Sequence, residues 1–204
     1  MSIWAVVVAA GSGDRFGGPK QYETLGSKRV LDWSLVVAGD VCDGIVLVVH
    51  PDRAGDIESR ADAVVAGGET RSASVRSGLA VVPDDADVIV VHDAARPWAS
   101  PALWARAIAA LDRADAAVPG VAVVDTLRER GGSTVDRERF VAVQTPQAFR
   151  ADVLRRAHAS EPEGTDDASL VEAAGGTVVL VDGEPSNRKI TTPDDLAMLR
   201  GLLP

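Results

Sequence analysis

A glycine-rich stretch near the N-terminus combines backbone freedom with positive charge, and Arg15 and Lys20 follow it closely. The stretch itself contains Ala9, Ala10, Gly11, Ser12 and Gly13. Glycine lets backbone N–H groups approach an anion, and cations beside such a turn can surround a reacting phosphate. A dinucleotide-binding fingerprint needs glycine where Phe16 stands, and Pro19 delays the helix that should follow. The Gly-Lys-Ser/Thr ending of a P-loop is missing as well. The pattern therefore favours another kind of polyphosphate site, with Arg15 and Lys20 as candidate catalytic cations.

A second chemical group ends an apolar run further along the chain. Asp93 closes the segment Val88–Asp93, and Arg96 follows three residues later. A carboxylate suits Mg²⁺ that is shared with substrate phosphates, and a guanidinium can hold a phosphate through two parallel hydrogen bonds. A turn-capping role for Asp93 and an ion pair between the two residues are the alternatives. For His92 we expect a packed, hydrogen-bonded side chain without a catalytic role.

Charge and composition exclude several classes of protein. Acidic residues outnumber basic ones 30 to 21 among 204 residues, so a broad cationic surface for nucleic acid is not expected. The single cysteine, Cys42, excludes an intramolecular disulfide framework. No apolar run approaches membrane-span length and no cationic leader precedes the first one, so we expect a soluble cytoplasmic protein. The few lysines are Lys20, Lys28 and Lys189.

The order of apolar runs and helical patterns predicts an α/β domain with a mostly parallel sheet. Predicted strands cover 3–9, 44–49, 63–66, 87–91, 116–124 and 177–181. Predicted helices cover 30–38, 71–82, 101 to about 113, a stretch that opens at Thr165 and closes at Gly175, and a last one that opens at Thr192. Thr70 and Ser100 are the expected caps of the second and third helices. We predict one domain, residues 1–204.

Residues 125–143 interrupt this alternation, and we call them the arm. Short polar segments flank Gly131 and Gly132, a pattern typical of a β-hairpin. The hairpin is too polar to join the core, so we expect it to project. An unburied hairpin can pair with another chain, which favours a role in a homodimer over a surface loop without function.

Nine segments along the chain, in order, resemble the 2-C-methyl-D-erythritol 4-phosphate cytidylyltransferases, a family of sugar-phosphate nucleotidyltransferases. The matching segments are 9–15, 19–21, 67–75, 92–97, 125–126, 134–137, 144–147, 165–169 and 189–191. The resemblance implies a Rossmann-like nucleotidyltransferase fold with a projecting hairpin arm. It also implies formation of 4-diphosphocytidyl-2-C-methyl-D-erythritol and pyrophosphate from CTP and 2-C-methyl-D-erythritol 4-phosphate, with Mg²⁺, in non-mevalonate isoprenoid precursor synthesis. Glu69 stands where the family often has aspartate.

The resemblance also assigns roles to individual positions. Implied nucleotide-binding residues are Ala9, Ala10, Gly11, Ser12, Gly13, Gly67, Gly68, Glu69 and Ser74. Implied binding residues for the sugar phosphate are Asp93, Arg96, Thr126, Arg137, Thr145, Thr165 and Lys189. Asp93 is the expected metal ligand. In the family, arm residues reach the neighbouring subunit's site, so Thr126 and Arg137 are expected to act there.

Three other functions remain in competition. A ribitol 5-phosphate cytidylyltransferase would share this chemistry, although Ala94, Ala95, Thr126 and Thr165 favour methylerythritol phosphate. A non-catalytic nucleotide-binding module could use the same fold, but retention of the candidate cations argues against it. A dinucleotide-dependent oxidoreductase conflicts with the glycine stretch described above.

Overall fold

The computed structural model describes residues 1–56 and 58–203, in which helices cover both faces of a central sheet. The strands are β1 (Ile3–Ala9), β2 (Thr24–Leu25), β3 (Lys28–Arg29), β4 (Gly44–Val49), β5 (Ala63–Ala66), β6 (Val88–Asp93), β7 (Ala116–Ala122), β8 (Val141–Val143), β9 (Gln147–Arg150) and β10 (Val178–Asp182). The α-helices are α1 (Val30–Val41), α2 (Arg71–Leu79), α3 (Pro101–Ala109), α4 (Ala151–His158), α5 (Asp167–Ala173) and α6 (Pro193–Gly201). None of these helices is long and apolar enough to cross a lipid bilayer.

The main sheet has the strand order β10-β7-β9-β6-β1-β4-β5, and β8 pairs with β7 beyond the end of β9. Strand β1 is parallel to both β4 and β6, as β4 is to β5 and β7 to β10. Strand β9 is antiparallel to β6 and β7. The predicted mostly parallel α/β sheet is confirmed. Because the chain passes from β1 to β4 on one side and later to β6 on the other, the strand order reverses at β1.

Two apolar layers hold this sheet, one on each face. Along β1, Ala5 and Val7 pack on the side of α1 and α3, where Trp104 is fully buried. Val6 faces the other layer, with Leu154 and Val171 from α4 and α5. This alternation explains why continuous apolar runs form the central strands, since both of their faces are covered.

The helix starts follow the capping chemistry of the sequence. Thr70 Oγ1 accepts from Ala73 N at 3.0 Å, and Ser100 Oγ accepts from Leu103 N at 3.1 Å, as predicted. Thr192 forms a capping box with Asp195 at the start of α6. The prediction for α5 was wrong by one position, because Asp166 rather than Thr165 accepts the capping bond from Ser169 N at 3.0 Å.

Several predicted ends also differ from the structure. Helix α2 stops at Leu79, before the expected 82, and β7 stops at Ala122, before the expected 124. Strand β9 and helix α4 were not predicted at all. Strand β9 is four residues long and begins with the buried Gln147, and α4 starts directly after it without a side-chain cap.

The arm does not contain the pair of strands that the sequence predicts. An isolated bridge joins Arg128 to Thr134, and the turn closes with a hydrogen bond from Gly132 N to Glu129 O at 3.0 Å. Its C-terminal end forms β8 against β7 instead. Most of its side chains are exposed, because few of them are apolar enough to join either core layer. Projection of the arm and its part in a dimer stay predictions.

Candidate functional site

A cleft of about 590 Å³ opens at the carboxyl ends of β1, β5 and β6. Parallel sheets bind ligands at the point where the strand order reverses, and β1 is that point here. Eleven of the predicted site residues line the cleft: Ala9, Ala10, Gly11, Ser12, Lys20, Gly67, Gly68, Glu69, Ser74, Asp93 and Lys189. The two segments implied to hold a nucleotide therefore face each other across one opening.

The glycine stretch turns sharply at Gly13. Its φ of +77° favours glycine, and a Cβ there would lie 1.8 Å from Gly18 O. Gly13 O accepts from Phe16 N at 2.8 Å and from Gly17 N at 2.9 Å. Gly13 is therefore a folding requirement of the loop and does not line the cleft. A Cβ at Gly11 would meet none of the described atoms within 4 Å, so this backbone faces open space where a ligand can approach.

Gln21 holds the same loop from behind. Its buried amide Nε2 donates to Ala9 O at 2.7 Å and to Gly11 O at 3.1 Å. The carbonyls are thereby turned inward, which fixes the orientation of the peptide groups at the end of β1. Gln21 belongs to the 19–21 segment of the resemblance, but nothing in its spacing predicted this role.

The opposite wall of the cleft depends on Ser74. Its hydroxyl accepts from Gly68 N at 3.2 Å and donates to Thr70 O at 2.9 Å, which holds the loop between β5 and α2. A Cβ at Gly67 would lie 2.4 Å from Ala10 Cβ, so the two walls meet closely at this point. Glu69 is exposed and lines the cleft beside them.

The candidate cations converge on the cleft from distant parts of the chain. Lys20 lies on a short 3₁₀ turn after the glycine stretch, and Lys189 precedes α6. Burial lowers the pKa of Lys20, and the nearby charges of Lys189 and Arg15 lower it further. The exposed Arg15 is not part of the cleft wall, yet its charge acts on Lys20. Like charges held this close favour an anion between them.

Asp93 is the buried acidic group of the site. Its Oδ2 accepts from Lys189 Nζ at 2.6 Å, and its Oδ1 accepts from Arg71 Nε at 3.2 Å. Burial alone would raise the pKa of Asp93, but the charges of Arg71 and Lys189 hold it well below its usual range. Asp93 is therefore ionised and fixes the position of one candidate cation.

His92 and Thr145 support Asp93 from inside the protein. Thr145 Oγ1 accepts from Asp93 N at 3.0 Å and lies 3.2 Å from His92 Nδ1. His92 is completely buried, and this burial lowers its pKa to about 4. The expected packed histidine is confirmed. Thr145 is buried behind the cleft wall and does not line the opening.

Arg96 has a different environment from the one the sequence suggested. Its Nη1 donates to Asn187 O at 2.9 Å and its Nη2 to Val143 O at 3.4 Å. Among the described ion pairs none joins it to Asp93. In this arrangement the guanidinium joins the Lys189 loop to the end of the arm, and phosphate binding by Arg96 stays a prediction.

Three further predicted residues also lie outside the cleft wall. Thr126, Arg137 and Thr165 are exposed, and the first two belong to the arm. Arg137 Nη1 donates to Val124 O, one residue before the arm begins. Among the hydrogen bonds and ion pairs of residues 1–56 and 58–203, none joins Thr126 or Arg137 to Lys20, so their roles also stay predictions.

Arg71 and Asp167 belong to the site but were not predicted from the sequence. Arg71 lines the cleft, and its Nη1 donates to Asp167 Oδ2 at 2.7 Å. Both residues fall within the matching segments, at the starts of α2 and α5. The available signal was Asp167, an acidic residue at helical spacing with the apolar Leu170 and Val171, which predicts a buried charge in need of a partner.

The donor groups of the cleft fit one kind of metal site. No cluster of three or more His, Cys, Asp or Glu side chains that could hold a metal occurs within residues 1–56 and 58–203. Mg²⁺ at a nucleotide site needs one or two carboxylates, and phosphate oxygens and water complete its ligands. The ionised Asp93 supplies one such carboxylate, so the residues fit an ion shared with substrate phosphates.

A parallel sheet with a glycine turn and converging cations at its reversal point defines a nucleotide-binding α/β protein. The chain belongs to the 2-C-methyl-D-erythritol 4-phosphate cytidylyltransferase (IspD) family, whose model matches residues 3–203. It is 44% identical over 225 residues to the bifunctional enzyme IspD/IspF of Anaeromyxobacter dehalogenans, covering 98% of this chain and 57% of that protein. The corresponding Bradyrhizobium enzyme is 41% identical, covering 94% and 54%.

A solved structure matches over nearly the whole of its length. The crystal structure of 2-C-methyl-D-erythritol 4-phosphate cytidylyltransferase from Thermus thermophilus superposes with a TM-score of 0.85 and 37% identity, covering 97% of this chain and 96% of that one. By contrast, the chain spans about half the length of the curated bifunctional relatives it matches. The expected family and fold class are confirmed.

Proposed function

We propose that this chain transfers the cytidylyl group of CTP to 2-C-methyl-D-erythritol 4-phosphate, forming 4-diphosphocytidyl-2-C-methyl-D-erythritol and pyrophosphate. The observation that carries the proposal is that Lys20 and Lys189 line one cleft, with the charge of Arg15 acting on Lys20, in a chain of this family. The reaction belongs to non-mevalonate isoprenoid precursor synthesis.

The chemistry is an in-line displacement at the α-phosphorus of CTP. A phosphate oxygen of the sugar phosphate forms the new P–O bond, the bond between the α-phosphorus and the bridging oxygen breaks, and pyrophosphate leaves with that oxygen. The attacking group is already an anion, so no strong general base is required. The main obstacle is repulsion between two anions, which positioned cations offset.

Each cation has a task that its position suits. Lys20 and Arg15 follow the glycine turn and contact the α-phosphate and the leaving phosphates. Lys189 enters from the opposite end of the chain and faces the phosphate of the second substrate. Asp93 keeps Lys189 in place through the 2.6 Å hydrogen bond and can accept hydrogen bonds from the substrate's hydroxyls.

The neutral cytosine and the ribose need hydrogen-bonding groups rather than cations. The loop that carries Gly67, Gly68 and Glu69 supplies backbone and carboxylate groups, and Ser74 keeps that loop in shape. Ala10 and Gly11 add backbone groups on the facing wall. A pocket with fixed donors and acceptors distinguishes pyrimidines because a mismatched base leaves polar groups unpaired.

We include Mg²⁺ as the cofactor, held by Asp93 together with the substrate's phosphates. When bound, it neutralises phosphate charge and makes pyrophosphate a better leaving group. The cations of the protein then complete the neutralisation around the reacting phosphorus.

The proposal also includes a homodimer formed through the arm. Phe140, Val141 and Val143 are exposed along it and Val124 is exposed just before it, an apolar set that a second copy of the chain would cover. In such a dimer Thr126 and Arg137 act in the neighbouring cleft. The expected cytoplasmic location and the absence of nucleic-acid and membrane partners are kept as predictions.

Measurement of pyrophosphate release tests the reaction directly. The protein is incubated with CTP and Mg²⁺, and with methylerythritol phosphate, ribitol 5-phosphate or neither. We expect pyrophosphate release when methylerythritol phosphate is the acceptor, and none with ribitol 5-phosphate or without an acceptor. Release with ribitol phosphate alone would identify the other cytidylyltransferase, whereas tight binding of CTP without release from either pair would identify a non-catalytic module.

A further inference from the structure

A row of polar and charged side chains, joined by hydrogen bonds, leads from the interior of the protein to the cleft. It begins at His158, whose Nε2 lies 3.1 Å from Asp167 Oδ1, and continues through Arg71 to Asp93 and Lys189. Opposite a carboxylate, this ring nitrogen carries the proton and donates it. The mechanism above uses the last two members of the row and gives no task to the first three.

Burial of the polar groups at the interior end of the row costs free energy. Asp167 is 0% exposed and His158 is 4% exposed. Removing a carboxylate from water is unfavourable unless donors satisfy it, and apolar side chains of similar size often stabilise such a position better. A purely structural role therefore does not explain why a charge is placed here, whereas a role in holding the cleft does.

Arg71 connects the buried end of the row to the cleft through two different N–H groups of its guanidinium. Its Nη1 donates to Asp167 Oδ2 at 2.7 Å, and its Nε donates to Asp93 Oδ1 at 3.2 Å. The planar, rigid fork makes the two bonds interdependent, since rotation that improves one disturbs the other. Asp167 begins α5 and Asp93 ends β6, so the fork ties α2 directly to these two elements. His158 ends α4 and is linked to the fork through Asp167.

We propose that Arg71, fixed by the buried Asp167 and His158, is a positioning residue that sets the orientation of Asp93 and, through it, of Lys189. Its kinetic test rests on the proposed cytidylyl transfer. Asp167 and His158 hold Arg71 in place, and neither of them contacts the substrate.

The first test is Arg71→Lys, with Arg76→Lys as the matched control on the same helix. A lysine keeps the charge but cannot bridge both carboxylates. We expect kcat to fall about tenfold, with KM for CTP within twofold of the wild type. Arg76 donates to Pro162 O and Glu163, away from the cleft, so Arg76→Lys should keep kcat within about twofold. Equal effects of the two variants would overturn the proposal.

The buried end of the row supplies a second, independent test. His158→Ala removes a donor to Asp167, and we expect kcat to fall about threefold to fivefold. His158→Gln carries an amide donor near the position of Nε2 and should restore kcat to within about twofold of the wild type. If both variants match the wild type in kcat, the inference is wrong. This test remains available if Arg71→Lys does not fold.

A double-substitution cycle separates positioning from general stabilisation. If Arg71 acts through Asp93, Arg71→Lys should have no further effect on kcat in an Asp93→Asn background. An undiminished effect there would overturn the proposal. A crystal structure of Arg71→Lys adds a readout without turnover, because we expect the Lys189–Asp93 contact of 2.6 Å to be displaced. An unchanged contact contradicts this inference alone, whereas an inactive wild type contradicts the proposed reaction.

Discussion

The cleft and the arm differ in how their functional side chains are held. In the cleft, Gln21, Ser74 and Asp93 each make two or more hydrogen bonds within the chain. In the arm, Thr126 is exposed, and Arg137 donates to the carbonyl of Val124, just before the arm. The cleft walls are therefore organised within one chain, whereas Thr126 and Arg137 remain exposed on the arm.

This difference originates in the amino-acid sequences of the two segments. The cleft residues follow apolar strands that are buried on both faces, so the sheet fixes where they emerge. The arm has exposed apolar residues between charged ones and cannot form a core of its own. Such exposed backbone and apolar side chains suit pairing with another chain, in line with the proposed dimer.

The largest expected effect is at the centre of the cleft. Lys20→Ala should lower kcat by about 10³-fold, because it removes a cation from the reacting phosphates. Thermal unfolding should change little, since the side chain is partly exposed. Lys28→Ala is the matched control, because Lys28 lies over the Trp33 ring at 4.7 Å, away from the cleft. Normal turnover of Lys20→Ala would show that the cleft has been assigned the wrong cation.

The next effect tests the arm side. Arg137→Ala should raise KM for methylerythritol phosphate about 100-fold, because a charged fork to phosphate is lost. The affinity for CTP, measured by calorimetry, should be unchanged, since the nucleotide walls lie within one chain. Arg139→Ala, in the same exposed turn, is the control and should resemble the wild type. A loss of CTP affinity in Arg137→Ala would contradict the division between the two regions.

A smaller effect is expected from the apolar surface of the arm. Phe140→Ser should raise the dissociation constant of the dimer about tenfold, because it removes apolar area from the proposed interface. Sedimentation at several protein concentrations measures this change, and specific activity should fall in parallel at low concentration. Met198 is similarly apolar and exposed but lies on α6, so Met198→Ser is the control. A wild-type chain that sediments as a monomer at all concentrations would exclude the interface.

The smallest effect concerns pH. The pKa of Lys20 is lowered by burial first and then by Lys189 and Arg15, so its positive charge is lost as pH rises through that lowered value. We expect kcat/KM to decline on the alkaline side for this reason. Lys20→Arg keeps its charge there, so the decline should move to higher pH, with about a fivefold loss at neutral pH. An alkaline limb that does not move would exclude Lys20 as its cause.

The central strands, most helix caps and the cleft itself were predictable because their signals are local. Apolar runs, capping residues and the glycine stretch each act through neighbouring residues. Strand β9 was not predictable in the same way, because its burial comes from pairing with β6 and β7 rather than from its own composition. Helix α4 could have been recognised from Val153, Leu154 and Ala157, which share one buried face.

The site, like the fold, was predictable where the signal is local and not where it depends on distant parts of the chain. Lys20 and Asp93 were recognised by type and position and Lys189 through the family resemblance, and the structure places all three at one cleft. The bond between Arg71 and Asp167 joins residues 96 positions apart, so it depends on the packing of α5 against the sheet. A single sequence also does not show which surface of a second copy would pack against the arm in the proposed dimer.

A subunit-mixing experiment tests most directly whether the cleft and the arm of two chains form one site. Lys20→Ala and Arg137→Ala proteins are mixed under conditions that exchange subunits. Turnover is measured at a methylerythritol phosphate concentration below the wild-type KM, where we expect each variant alone to be nearly inactive. If the arm acts in the neighbouring cleft, each mixed dimer has one intact site, and random exchange should restore about a quarter of wild-type turnover. Turnover no higher than that of the separate variants, with mixed dimers present, would contradict the account.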